Sequence, residues 1–155
     1  MARHDVDIAA LKSSVAALEA TPAGSLTPAS SNLSADVQLP LANVYVDGPS
    51  VTLGAGTWLV VCTLTLVRAA TTLAMYTARI TDGVTHYAST QATHPSQNPH
   101  AVSMTMSAVI TLAVPTIIKG QAATSAGSMT TNIKAATSIN GSGNNASHIR
   151  AIKLA

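Results

Sequence analysis

Leu53-Gly-Ala-Gly-Thr-Trp-Leu-Val-Val-Cys-Thr-Leu-Thr-Leu-Val67 is the stretch that decides the fold. Gly54 and Gly56 lack a Cβ and accept positive φ, so they suit a tight corner. From Trp58 to Val67 the chain is β-branched and apolar, has no breaker, and is too short to cross a bilayer as a helix. That composition predicts a strand buried on both faces. Trp58 is the single tryptophan of a chain without phenylalanine, so its ring is a large share of the aromatic area available and belongs in the core with Val60 and Leu64. Cys62 is the only cysteine; no intrachain disulfide forms, and its place in the apolar run predicts an inert buried thiol.

Working outward, Val37 and Leu39, Val44 and Val46, and Val51 and Leu53 form three short alternating bursts, separated by Pro40 and by Asp47-Gly48-Pro49. After the central strand, Ala74, Tyr76, Ala78 and Ile80 share one face of a strand over Thr72 to Thr81, and Asp82-Gly83 offers a hairpin turn into Val84 to Thr90. His94 to His100 contains two prolines and no apolar residue, which predicts a surface loop. Beyond it Met104, Met106, Ala108, Ile110, Leu112 and Val114 are apolar while Ser103, Thr105, Ser107 and Thr111 alternate with them, marking a strand with one buried face that Pro115 ends. Thr116 to Thr124 and Met129 to Thr137 read as further strands, and Asn140 to Ala146 as a glycine-rich loop. Ser147 to Leu154 is a closing strand suited to the middle of a sheet, where it locks an early strand in place. Eight or nine strands without a second helix predict an all-β fold, an antiparallel jelly-roll sandwich.

Ahead of this domain, Ile8, Leu11, Val15 and Leu18 fall at spacings of three, four and three in a helix over Asp7 to Ala20, which Thr21-Pro22 and Gly24 stop. Two heptads are too short to hold copies together alone, so the helix is expected to coil or dock only where the rest of the chain gathers it. The organisation predicted is a helix over 1–20, serving as coiled coil or anchor, a Ser/Thr/Pro-rich linker over 21–34, and a head over 35–155.

Hydrophobic residues make up 47% of the 155 residues and charged ones 9%, against the ~25% usual in soluble domains. Ser, Thr, Ala, Asn and Gln must cover the surface, a composition suited to a protein held in an assembly. The apolar excess predicts self-association, with a homotrimer expected. A net charge of +2 without a basic run gives nucleic acid nothing to read, and no segment reaches the length of a membrane span. Met1 to Asp5 has no apolar signal core, so an untargeted cytosolic product is expected.

Catalytic patterns are sparse. His86, His94 and His100 cluster in sequence, but the nearest acid is Asp82, so they read as loop or sheet-surface histidines. One histidine per copy meeting at a threefold axis is the remaining route to an ion site. Glu19 is the only glutamate, which leaves few pairs for a glycosidase, and the Gly-x-Ser-x-Gly turn of a serine hydrolase is missing. No catalytic residue, cofactor or metal ligand is predicted.

Leu53-Gly-Ala-Gly-Thr-Trp-Leu-Val, Tyr76-Thr-Ala-Arg-Ile-Thr-Asp-Gly, the long alternating strand and Ile149-Arg-Ala-Ile-Lys-Leu together resemble the tumour-necrosis-factor and complement type of jelly roll found in bacteriophage structural proteins. The resemblance covers Ala35 to Ala155. It implies a trimeric virion fibre, spike or decoration head, made in the host cytoplasm, whose N-terminal segment contacts other virion proteins. Trp58, Val60, Leu64, Met104, Met106, Ile110 and Leu112 would then form the core, with Met75 and Met129 among the methionines that fill gaps left by missing aromatics. The alternative is a module that recognises host-surface glycans through its loops, with His94, Gln97, Asn98, His100, Asn144 and Asn145 as contacts. A small hydrolase is the third class, and no activated nucleophile supports it.

Overall fold

The computed structural model describes residues 28–69, 73–94, 100–136 and 146–154. The helix expected around Ile8, Leu11, Val15 and Leu18 lies outside the described residues. So do Gln97, Asn98, Asn144 and Asn145.

Ten strands are described: β1 (Pro28–Asn32), β2 (Val37–Leu39), β3 (Val46–Leu53), β4 (Gly56–Arg68), β5 (Ala74–Thr81), β6 (His86–His94), β7 (His100–Leu112), β8 (Thr116–Thr124), β9 (Ser128–Ile133) and β10 (His148–Lys153). All pairings are antiparallel, and they form the expected sandwich of two sheets. In the first sheet β4 is the centre. Its one edge pairs along its full length with β7, while the other is shared by β10 opposite Trp58 to Thr63 and β9 opposite Leu66 to Arg68. β1 then pairs with β10, and β2 with β9. The second sheet runs β3-β8-β5-β6.

The strand that opens the head begins earlier than expected. Pro28–Asn32, placed by sequence in the 21–34 linker, pairs with β10 from Pro28↔Ile152 to Asn32↔His148. Its Pro-Ala-Ser-Ser-Asn composition carries little strand propensity; ladder bonds from β10 supply what propensity does not. As expected, β10 lies inside the sheet, between β1 and β4. The break expected at Asp47-Gly48-Pro49 is instead a register shift within one strand, tolerated because β3 is a sheet edge and the proline's missing N–H spoils no ladder.

The core sits between the sheets. Trp58, Val60, Cys62, Leu64 and Leu66 of β4, and Met104, Met106, Ile110 and Leu112 of β7, face Tyr76, Ala78 and Ile80 of β5 and Ile118 of β8. Trp58 is 7% exposed, and its indole N–H donates to the Gly54 carbonyl at 2.9 Å, which ties the ring to the corner before the strand. Gly56, at φ 130°, takes the left-handed turn there; Gly54 does not adopt positive φ. A Cβ on Gly120 of β8 would fall 2.4 Å from Cys62 Sγ, so a bare backbone is needed where the sheets approach. The single buried face of β4 corrects the reading of a strand buried on both sides: Leu59, Val61 and Val67 are only half-buried. Val114 also departs from expectation, lying exposed in the turn after β7, and Met75 is exposed on the outer face of β5.

Candidate functional site

Two places in the fold depart from an ordinary core or an ordinary polar surface. The first is the outer face of the first sheet. Register brings Pro28 of β1, Ile152 of β10, Leu59 of β4 and Val109 of β7 into one row across four strands, with Val61 in the next row between Arg150 and Ser107. Val109 is 65% exposed and Ile152 37%. Flanking rows are hydroxyl pairs: Thr57 with Thr111 at 3.2 Å, Thr63 with Thr105 at 3.0 Å, and Thr65 with Ser103 at 2.9 Å. The hydroxyl pairs and the apolar row together give this face few charges, the exposed Arg150 beside Val61 being one.

The second is a buried polar cluster at the end of the sandwich where β4 and β6 finish. Arg68 and Thr131 are register partners of β4 and β9 and both are buried. From the facing sheet Tyr76 meets His94 edge to face, with ring centroids 5.6 Å apart. Burial pushes the Tyr76 phenol up to about 12, with the nearby Arg68 charge pulling the other way. The Tyr76 hydroxyl and Thr131 Oγ1 have no hydrogen-bond partner among the described residues. His94 therefore corrects a prediction: it is a fully buried side chain, not a loop contact, because it continues the inward alternation of Ala88, Thr90 and Ala92 on β6. His100 opens β7 opposite Arg68.

The carboxylates are held locally. Burial alone would raise the Asp36 carboxyl, but the Lys134 ammonium and the Ala135 N–H donate to it and leave it below the usual range. Asp82 is drawn down to about 2 by the Tyr87 hydroxyl and then by the Thr85 and Val84 N–H groups, which fixes the β5–β6 turn around Gly83 at φ 101°. Burial pushes the Cys62 thiol up to about 12, which keeps it protonated and poorly nucleophilic. Among the described residues, no three of His, Cys, Asp or Glu stand together as a metal site would require.

The seven predicted core residues, Trp58, Val60, Leu64, Met104, Met106, Ile110 and Leu112, are all buried together. The outward apolar row and the buried Arg68–Thr131 pair were not anticipated. A signal for the first was present: every threonine of the central strand falls at an odd position, with Leu59 and Val61, and none among the even positions that fill the core.

No protein-family model matches the chain, and no curated protein matches it. Among solved structures it is similar to the Eiger tumour necrosis factor from S. frugiperda, with a TM-score of 0.52 and 14% identity over 84% of this chain and 93% of that one. The shared fold is the tumour-necrosis-factor jelly roll. At that identity the likeness concerns the fold and leaves activity to be argued from the surface.

Proposed function

We propose that this chain is a non-enzymatic structural protein of a phage virion: a homotrimeric fibre, spike or decoration head that assembles through the outer face of its first sheet, with the N-terminal segment joining it to other virion proteins. The observation carrying this reading is the row Pro28, Ile152, Leu59 and Val109 on a surface with so few charges. An apolar strip across four strands gains by being covered, and a protein with a net charge of only +2 has little repulsion to keep copies apart. Association in threes places three such sheets around an axis, where the hydroxyl pairs beside the row keep one donor each for a bond across the interface. The deep burial of Cys62, the one thiol nucleophile, fits a role without covalent chemistry.

Light scattering tests the assembly. The wild type is expected at three times 15.7 kDa, and Val109→Asp, an exposed position that tolerates charge, at the single mass. A wild-type mass of 15.7 kDa at micromolar concentration would overturn the trimer. Antibody labelling of purified particles tests the virion role, and unlabelled particles would overturn that part alone.

A further inference from the structure

On the opposite sheet a guanidinium is held by its ring face and by one nitrogen, with its far end turned from both contacts. The Arg79 Cζ lies 3.6 Å from the centroid of the Tyr45 ring, so one face of the cation is covered. Its Nε donates to Gln121 Oε1 at 2.7 Å; Gln121 Nε2 in turn donates to Asp47 Oδ1 at 2.5 Å, and Lys119 Nζ to Asp47 Oδ2 at 2.8 Å. Burial would raise the Asp47 carboxyl, but the Gln121 and Lys119 bonds outweigh it and hold it below its ordinary range, so this acid stays ionised. Two cations against one carboxylate leave one net positive charge on a protein that has few. Arg79 itself is half-buried, and its terminal nitrogens, which donate to no described group, are not among the buried unsatisfied atoms.

We propose that Arg79 anchors a carboxylate-binding site for an acidic saccharide on the outer face of the second sheet. A guanidinium with its Nε engaged and its plane stacked keeps one end-on fork, and two parallel N–H donors match a carboxylate. The entropy of ordering a long side chain has already been met by Tyr45 and Gln121, which leaves more of the interaction for a ligand. The neighbours set the ligand class. Ser89 is the register partner of Arg79, and Thr77 with Gln91 forms the adjacent row, so the fork is bordered by hydroxyl and amide groups suited to a polyol. This site lies on the sheet away from the self-association face and holds whether or not the chain trimerises.

Titrating the full-length protein with sodium glucuronate, while following the Arg79 Nε–Hε resonance by NMR, tests it. A saturable shift at millimolar ligand is expected, with none from glucose or from sodium chloride at matched ionic strength. Arg79→Lys keeps the charge but loses the fork and should weaken binding at least tenfold, read from backbone amides of β5 and β6. Tyr45→Leu should weaken it as well, with the amide spectrum reporting that the fold is kept. Absence of a saturable shift, an equal response to glucose, or wild-type affinity in Arg79→Lys would each overturn the proposal.

Discussion

Along β4, Trp58, Val60, Cys62, Leu64 and Leu66 point into the sandwich and are buried, whereas Leu59, Val61 and Val67 face outward beside Thr57, Thr63 and Thr65. The two sets are close in hydropathy. What separates them is the second sheet, which covers one side of the strand and leaves the other open. Burial here is a property of the neighbour across the core, and the residue types record it only weakly, through hydroxyls confined to the outward side.

The contrast breaks most plainly at Trp58 and Leu59, adjacent residues on opposite sides. Trp58→Ala should cost about 3–5 kcal/mol from lost transfer energy and the cavity left, while Leu59→Ala should change monomer stability by about 0.5 kcal/mol or less. Urea unfolding followed by circular dichroism reads both, and a blue-shifted native emission from the wild type would agree with the buried indole. Equal losses from the two variants would show that both faces belong to one core.

Thr63→Val asks the same of the hydroxyl pairs. The Thr63–Thr105 bond is exposed and lies between strands already joined by a full ladder, so its loss should lower the unfolding free energy read from urea titration by no more than ~1 kcal/mol. A cost several times larger would mean that the outward face is structurally buried.

The smallest effect should come from acid. Asp82 has its folded pKa lowered to about 2, so its contribution is present above the unfolded value of ~3.9 and is lost as pH falls toward 2. Because that carboxylate is largely exposed, screening keeps the effect under ~1 kcal/mol. Acid should loosen the β5–β6 turn, seen in the Val84 and Thr85 amide resonances, before Trp58 emission changes, and Asp82→Asn should remove that early step. Simultaneous loss of both signals would tie the turn to the core more tightly than its hydrogen bonds suggest.

Much of the fold was legible in the sequence because strands with one buried face announce themselves by period. Met104, Met106, Ile110 and Leu112 fall at even positions with Thr105, Ser107 and Thr111 among the odd ones, and Ala74, Tyr76, Ala78 and Ile80 are separated by the less buried Met75, Thr77 and Arg79. Pro28–Asn32 was not legible, since a short polar segment becomes a strand only when β10 offers it an edge. His94 was misread because the prolines after it signal a loop while its own parity places it inward. The Arg79 arrangement joins Tyr45, Asp47, Arg79, Lys119 and Gln121 from three strands and the segment before them, and no local pattern reveals such a meeting.

Pro28 and Ile152 are register neighbours, and the Leu154 N–H donates to the Thr57 carbonyl at 2.7 Å. Chain entering β1 and chain leaving β10 therefore pass through the same pole of the head, the one where β4 begins, while the Arg68 and His94 cluster closes the other. A cable and its return lead share one socket in this geometry: the described chain starts at Pro28 and reaches Lys153 on one side of the head, so labels placed at those two residues would report on the same pole.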